Sequence, residues 1–319
     1  MIDLISNFTG QTNSFVEVII GIFSLLIFFT LLFIPWQKLK PSKGMHEIVL
    51  RVYSWWAILC LATIMFLLPE TIALILIILL TFISLREFLT KLSIEAHFRN
   101  TLLYIYLAIP IQYYLAKNGT TYSFNSFIPV YMFFLIPIRN ILNGAYEKYL
   151  EFNGKVFWAM MLIVYGFSNI TFLRHQGVIK GYEGEQDLLI ILIVFLTQIN
   201  DVLQFLWGKT IGKNKLSPTI SPNKTIEGFA GGAITLSFIC FLLSDYLPFN
   251  SNLEAAIFGV LLSIFGLLGD LNMSAVKRDL GVKDMDDLIP GHGGILDRLD
   301  SLSFTLPFTV HYLLLRGYL

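Results

Sequence analysis

Residues 15–36 read FVEVIIGIFSLLIFFTLLFIPW, an apolar run whose one charged residue is Glu17. An apolar run of about 20 residues is long enough to cross the hydrocarbon core of a bilayer as a helix. The rest of the chain has the same character, since 55% of its 319 residues are hydrophobic, 14% are charged and its mean hydropathy is +0.70. Soluble domains are about 45–50% apolar and about 25% charged. The composition predicts an all-α polytopic integral membrane protein and excludes disordered, collagen-like, coiled-coil and disulfide-scaffold proteins.

Further apolar runs predict about ten transmembrane helices, with nine and eleven as the alternatives. The runs cover residues 15–36, 54–68, 71–85, 101–116, 123–138, 156–173, 188–207, 227–247, 253–269 and 302–315. We expect no cleavable signal peptide, because a charged n-region is missing and the first run is too long. Cys60 and Cys240 lie in apolar runs, which favours buried thiols over a disulfide or a metal site.

The basic residues are distributed unevenly between the loops. If the N-terminus lies outside, 18 of the 22 Lys and Arg residues fall in the inner loops 37–53, 86–100, 139–155, 208–226 and 271–301. Cytoplasmic loops of membrane proteins carry such an excess. The distribution predicts an even number of spans in the cell membrane, with both termini outside and loops 208–226 and 271–301 in the cytoplasm. The net charge of zero gives no reason to expect nucleic acid as a partner.

The polar residues that could carry chemistry are concentrated in the last third of the chain. Asn200 and Asp201 fall inside or at the end of an apolar run, where an ionisable residue is either functional or a charge just past the membrane surface, solvated or paired with a lysine. Residues 208–232, GKTIGKNKLSPTISPNKTIEGFAGG, follow directly. Lysines between Gly and Pro residues form a shaped loop that suits a polyphosphate, although they could also be positive-inside anchors. The loop is not a Walker A motif, because position 203 is Leu, and Gly228 and Gly232 favour close helix packing.

The densest polar segment is residues 269–301, GDLNMSAVKRDLGVKDMDDLIPGHGGILDRLDS. If the helix of the preceding run continues, Asp270, Ser274 and Lys277 share one face, and Gly281 ends it. Asp297 and Asp300 share a face at the start of the last run. Carboxylates from two helix ends beside a glycine turn are the oxygen ligands that Mg²⁺ takes, often together with substrate phosphates. His292 in this turn is either a backbone cap or a catalytic acid.

These motifs carry a resemblance to a known family. The pattern Ser274-x2-Lys-Arg-x4-Lys-Asp-x5-Pro-x-His-Gly-Gly-x2-Asp-Arg-x-Asp300 resembles the signature of phosphatidate cytidylyltransferases, and residues 212–229 are similar to another motif of that family. The resemblance covers about residues 200–301. The chain departs from the commonest bacterial members after Asp201, where Val202, Leu203, Gln204 and Phe205 replace small residues and Tyr. This departure indicates a paralogous branch and leaves the lipid acceptor open.

The resemblance implies transfer of CMP from CTP to phosphatidate or a related lipid phosphate, which gives CDP-diacylglycerol and pyrophosphate in phospholipid biosynthesis. Residues 1–186 are then N-terminal transmembrane helices, and residues 187–319 form the catalytic transmembrane region. The implied cofactor is Mg²⁺, with two ions expected. The implied catalytic residues are Ser274, Lys277, His292 and Arg298, the substrate-binding residues are Asp201, Lys209, Lys213, Lys215, Ser221, Lys224, Gly293 and Gly294, and the metal ligands are Asp270, Asp297 and Asp300.

Two other functions stay open at this point. A CTP-dependent lipid or polyprenol kinase would share the nucleotide and the metal but transfer the γ-phosphoryl group to an alcohol. Ionisable residues buried in the middle of spans and two repeated halves would indicate a transporter, and neither is visible in the sequence. The expected partners are CTP, a lipid phosphate and the bilayer, with a homodimer as an option.

Overall fold

The computed structural model describes residues 2–9, 11–39, 41, 43–176, 179, 182, 186–286 and 294–319. Eight of the ten predicted apolar runs lie entirely within a helix, and the runs 54–68 and 227–247 extend beyond the helices that end at Leu67 and Leu242. The helices are α1 (Ile2–Thr9), α2 (Asn13–Leu39), α3 (Lys43–Leu67), α4 (Glu70–Thr90), α5 (Thr101–Asn118), α6 (Thr121–Leu142), α7 (Tyr149–Gln176), α8 (Gln186–Thr210), α9 (Ile226–Leu242), α10 (Asn252–Asp279), α11 (Leu296–Leu299) and α12 (Leu302–Arg316). The protein is thus a helical membrane protein.

Within the described residues, six of these helices are long and apolar enough to cross a membrane: α2, α4, α6, α7, α8 and α10. The apolar helix α9 and residues 55–67 of α3 are shorter. The count of ten spans therefore stays a prediction. Two helices contain a wider π-helical turn, at Phe127–Met132 in α6 and at Met160–Tyr165 in α7.

Polar contacts join predicted outer segments to one another and predicted inner loops to one another, in the way the charge distribution predicts. At one end of the bundle, Lys117 pairs with Glu70, and His175 lies 3.0 Å from the same carboxylate, so that three predicted outer segments meet. At the other end, Lys148 pairs with Glu95 at 2.7 Å and joins two predicted inner loops. This pattern of contacts supports the alternation of spans, whereas the side of the membrane on which each end lies stays a prediction.

A short β-hairpin is the one departure from an all-α fold in the described residues. Strands β1 (Lys215–Ser217) and β2 (Ser221–Thr225) pair antiparallel within the predicted lysine loop, with an irregularity between Lys215 and Ser217. The strands are too short, and too interrupted by proline, to show an alternating pattern in the sequence. The hairpin is still the shaped loop that the sequence predicts, and its second strand leads directly into α9.

The long helix α10 extends beyond its apolar run by about three turns. It ends at Asp279, and Gly281 follows with a positive φ of 69°, which glycine adopts without a Cβ clash. Asp270, Ser274 and Lys277 lie in this extension, as predicted from their spacing. The core of the last third is formed by α8, α9, α10 and α12, and α2 and α3 pack against α8 from the N-terminal side.

Candidate active site

One cavity of about 560 Å³ collects most of the predicted site residues. It lies between α3, α8, the hairpin, α10 and the segment around α11. Ten of the predicted residues line it: Asp201, Lys209, Lys215, Ser221, Lys224, Asp270, Lys277, Asp297, Arg298 and Asp300. Motifs that are up to about 100 residues apart in the sequence therefore face one space.

Three carboxylates from different segments form the acidic wall of this cavity. Asp201 lies on α8, Asp270 on α10 and Asp300 just after α11. The Ser301 hydroxyl donates to Asp201 Oδ2 at 3.0 Å, and the Ser301 N–H donates to Asp300 Oδ1 at 2.8 Å. Desolvation, with the negative charges of Asp270 and Asp201, raises the pKa of the Asp300 carboxyl well above its ordinary value. The wall therefore concentrates negative charge that a cation would stabilise.

Two lysines form ion pairs with this acidic region. Lys224 on β2 lies 2.6 Å from Asp270 Oδ2, and Lys277 on α10 lies 2.8 Å from Asp297 Oδ1. The Ser274 hydroxyl also donates to Asp270 Oδ1, at 3.3 Å. Ammonium groups that touch carboxylates in a cavity are well placed to contact phosphate oxygens of a substrate.

Both carboxylate oxygens of Asp297 already have protein partners. Besides the ion pair to Lys277, its Oδ2 accepts hydrogen bonds from the backbone N–H groups of Met285 at 2.8 Å and Gly294 at 3.1 Å. In the part of the chain that the structure describes, no three Asp, Glu, His or Cys side chains form a group ready to hold a metal ion. The predicted set of Asp270, Asp297 and Asp300 is therefore not assembled around one point in this arrangement.

The hairpin is fixed to the start of α9 by its own hydrogen bonds. The Glu227 carboxylate accepts from the backbone N–H groups of Lys213 at 3.0 Å and Asn214 at 3.1 Å. The Thr225 hydroxyl caps α9 by accepting from the Gly228 N–H at 3.1 Å. These contacts hold Lys224, which precedes the cap, at a set position above Asp270.

Glycines bring α9 close enough to α8 to complete this anchoring. A Cβ on Gly228 would lie 2.7 Å from the Gln204 carbonyl oxygen and 2.9 Å from Gly208 Cα, and one on Gly232 would lie 2.6 Å from Gln204 Cγ. Any larger residue would push the two helices apart. The packing role predicted for Gly228 and Gly232 is confirmed, and it ties the hairpin to the helix that carries Asp201.

Comparison with known proteins shows the family of this chain. Residues 49–316 match the model of the cytidylyltransferase family. The chain belongs to the cytidylyltransferase family. The uncharacterized protein YnbB of Escherichia coli is 35% identical over 294 residues, which cover 92% of this chain and 96% of YnbB. The predicted relationship is confirmed, and an end-to-end relative of this kind fits a separate branch of the family.

Two named relatives are similar over shorter segments. A phosphatidate cytidylyltransferase of Staphylococcus saprophyticus is 47% identical over 154 residues, 47% of this chain and 56% of that protein. One of Staphylococcus aureus is 51% identical over 118 residues, 36% of this chain and 44% of that protein. The chain thus matches about half the length of these named relatives. Together with the family match, they make this chain a membrane nucleotidyltransferase.

Among the residues that the structure describes, three predicted site residues of this cytidylyltransferase do not line the cavity: Ser274, Lys213 and Gly294. The exposed side chain of Lys213 lies beyond the backbone contact with Glu227. Gly294 acts through its backbone N–H, which donates to Asp297. His292 and Gly293 lie outside the described residues, so their predicted roles stay predictions.

Sequence reasoning missed Glu87, a buried carboxylate at the end of α4. Its two oxygens accept hydrogen bonds from the backbone N–H groups of Ile295 and Leu296, each at 3.0 Å, and its side chain is 2% exposed. These N–H groups begin the segment that carries Asp297, Arg298 and Asp300. Glu87 therefore fixes this segment of the enzyme from the N-terminal helices, as a positioning residue. Sequence reasoning also missed Trp55 and Ile58 of α3, which line the cavity, because neither residue belongs to a motif.

We expect Glu87→Gln to lower kcat about tenfold while KM for CTP changes little. An amide supplies one acceptor oxygen for two backbone donors and loses the charge, and a hydrogen bond to a charged group contributes about 1.5–3 kcal/mol. The measurement is steady-state kinetics with a thermal unfolding midpoint for each variant. Glu95→Gln, on an exposed carboxylate of the neighbouring loop, is the matched control. Unchanged kcat in Glu87→Gln would contradict the positioning role.

Proposed function

We propose that this enzyme transfers the cytidylyl group of CTP to the phosphate of phosphatidate or a related lipid phosphate. The products are CDP-diacylglycerol, or the corresponding CDP-lipid, and pyrophosphate. The observation that carries the proposal is the single cavity in which lysines of the hairpin face the carboxylates of α8, α10 and the α11 segment. The printed names of the Staphylococcus relatives support phosphatidate as the acceptor.

The chemistry requires one anion to attack another. A lipid phosphate oxygen forms a bond to the α-phosphorus of CTP, and the bond from that phosphorus to the bridging oxygen of the β-phosphate breaks. Pyrophosphate leaves with the electron pair. The protein contributes by aligning the two phosphates and by neutralising their charge. Lys224, Lys277 and Arg298 line the cavity from three different segments, so they can contact phosphates from several directions.

Asp270 and Asp300, with Asp201 beside them, are the residues that would hold Mg²⁺. The chemistry of these donors fits, because carboxylates supply hard oxygen ligands, and desolvation together with their mutual repulsion raises the pKa of Asp300. The three carboxylates would have to draw closer together around the ion, since among the described residues no group of three is preformed. Asp297 can join them only by giving up its ion pair with Lys277. When bound, Mg²⁺ would neutralise phosphate oxygens and polarise the attacked phosphorus.

The setting of the cavity favours one soluble and one membrane substrate. Its polar residues lie at the end of the bundle that the charge distribution assigns to the cytoplasm, where CTP is available. Apolar side chains from membrane helices line its other side: Trp55 and Ile58 of α3, Phe205 of α8 and Leu267 of α10. A lipid phosphate can therefore reach the cavity from the bilayer while its hydrocarbon chains stay in an apolar environment.

Cysteine labelling tests the proposed orientation in the cell membrane. We expect a membrane-impermeant maleimide added to intact cells to label Asn118→Cys and not Asn214→Cys, in a chain whose Cys60 and Cys240 are replaced by Ala. Both positions are exposed in the fold, so that the membrane alone decides access. Permeabilised cells are the control and should show labelling at both positions. Labelling of Asn214→Cys in intact cells would exclude a cytoplasmic site.

Isotope placement tests the reaction itself. Purified enzyme is incubated with Mg²⁺, dioleoyl phosphatidate and CTP labelled at either the α- or the γ-phosphorus. The proposal expects the α-label in the lipid product and the γ-label in pyrophosphate. A γ-label in the lipid would instead identify a lipid kinase, and no label in any lipid phosphate of a panel would contradict nucleotidyl transfer to lipids.

A further inference from the structure

An apolar groove lies next to the polar cavity and shares residues with it. Its lining comes from three helices: Phe29 and Phe33 of α2, Val52 and Trp55 of α3, and Val202, Phe205 and Leu206 of α8. We call these seven residues the aromatic groove. Trp55, Val202 and Phe205 also line the polar cavity, so the two spaces are continuous.

We infer that the aromatic groove holds a hydrocarbon chain of the lipid phosphate and contributes to the choice of acceptor. This inference rests on the proposed function, because it places the apolar part of the proposed acceptor. The lining contains no polar side chain, and such a surface favours hydrocarbon over any hydrated group.

A positively charged side chain, which could bind an anionic lipid, lies at the junction of the groove and the cavity. The ammonium group of Lys209 lies 5.4 Å from the centre of the Phe205 ring, one turn further along α8. Asp201 and Val202 lie one turn earlier on the same helix. A lipid with its phosphate near Lys209 therefore has its first methylene groups beside Phe205 and its chain directed along α2 and α3.

The size of the groove favours a single chain over a protein partner. The groove is shallow, with a volume of only about 30 Å³, so it can take one side of a hydrocarbon chain and not a packed helix. A hydrocarbon chain can lie along such a narrow groove. Other faces of α2 are exposed, with Phe28 and Leu31 at 58% and 69%, as expected of a helix in contact with the bilayer.

The sequence difference from the family pattern after Asp201 lies at the junction of the aromatic groove and the polar cavity. Val202 and Phe205 are two of the residues by which this chain differs from the pattern that it resembles, and both lie at the junction. Phe29 packs on Phe33 at 5.7 Å and on Trp55 at 6.3 Å between ring centres, so the aromatic side chains form one connected wall. A change at the junction therefore alters the space for the chain and leaves the lysines and carboxylates in place.

Photocrosslinking tests the inference without turnover. Purified enzyme in phosphatidylcholine vesicles is irradiated with phosphatidate that carries a diazirine on one acyl chain, and the labelled peptides are mapped. We expect label on residues 29–33 and 52–55, reduced about tenfold by Val52→Trp, which fills the groove. Leu31→Trp, at an exposed position of α2, is the matched control and should leave the label unchanged. Equal labelling by diazirine phosphatidylcholine would show general bilayer contact and overturn the inference.

Chain-length selectivity supplies the second measurement. Val52→Trp should raise KM for dioleoyl phosphatidate about tenfold and leave KM for CTP and for dihexanoyl phosphatidate unchanged, because the short chains end near Phe205 and do not extend to Val52. Phe29→Ala should weaken the preference for the long chain about threefold, and Phe28→Ala, its exposed neighbour, should not. An equal change in KM for long and short chains would overturn the inference. If the enzyme makes no CDP-lipid, the proposed function is wrong. The crosslinking pattern then still tests, independently, whether the aromatic groove holds a lipid chain.

Discussion

The Lys224→Gln variant is expected to lose most of its activity, about 10- to 100-fold in kcat, with normal expression and membrane insertion. The lysine lies 2.6 Å from Asp270 in the cavity, and Gln removes the charge that would contact a phosphate. A charge-assisted hydrogen bond contributes about 1.5–3 kcal/mol, which corresponds to this loss when the bond strengthens in the transition state. The measurement is CTP-dependent formation of labelled lipid by purified protein.

The matched variants separate a phosphate contact from a topological anchor. Lys224→Arg keeps the charge but not the compact ammonium geometry, so it should restore only part of the activity. Lys213→Gln removes a positive charge from the same loop, where the side chain lies outside the cavity, and we expect less than a twofold change. Full activity in Lys224→Gln, or equal losses in both Gln variants, would remove the hairpin from the proposed CTP site.

The Asp300→Asn variant is expected to lower turnover about 100-fold or more and to need a higher Mg²⁺ concentration. The amide keeps the shape of the side chain but removes a negative charge from the group formed with Asp201 and Asp270. Loss of such a charge weakens a bound cation and the stabilisation of the phosphates that it provides. Activity is measured over a range of Mg²⁺ concentrations, after chelation and restoration of the metal in the wild-type enzyme.

Asp279→Asn is the control for this change, because Asp279 ends α10 and is exposed. It should keep the wild-type activity and the wild-type dependence on Mg²⁺. If Asp300→Asn reaches normal turnover at saturating Mg²⁺, Asp300 only tunes metal affinity. If its Mg²⁺ dependence is that of the wild-type enzyme, Asp300 is not a ligand.

The helices could be predicted from the sequence because each apolar run has at least 14 residues and most runs are bounded by polar or turn-forming residues. Their ends were harder to predict, since a helix can continue past its apolar residues when the polar side chains find partners. The run that ends at residue 269 continues to Asp279, and Asp270 and Lys277 pair with Lys224 and Asp297 there. The hairpin gave only a turn signal, because two short strands with prolines have no recognisable period.

The site could be predicted where its residues form a dense local motif and could not where they come from distant helices. The lysines and aspartates of residues 200–301 were found because they lie close together in the sequence and form the motifs that carry the family resemblance. Glu87 contacts Ile295 and Leu296 across 208 and 209 positions of sequence, and beside Arg86 it reads as an ordinary charge at the end of a span. Asp297 was assigned to the metal by its spacing, and the sequence does not show that Lys277 and two backbone amides already occupy its oxygens.

The close contact of Gly228 and Gly232 with α8 has a consequence for how acceptor choice could change in this family. This contact holds the hairpin lysines and Asp201 of α8 in one rigid part of the site. Backbone contact sets the distances within this part, and a side chain added at either glycine would change them. The hydrocarbon-facing part comes largely from α2 and α3, whose aromatic side chains can be exchanged one at a time. If the aromatic groove holds the lipid chain, the α2 and α3 part of acceptor choice can change without the donor chemistry, whereas Val202 and Phe205 on α8 link the two. A chimera that takes α2 and α3 from a relative should inherit the lipid preference of that relative and keep its own reaction.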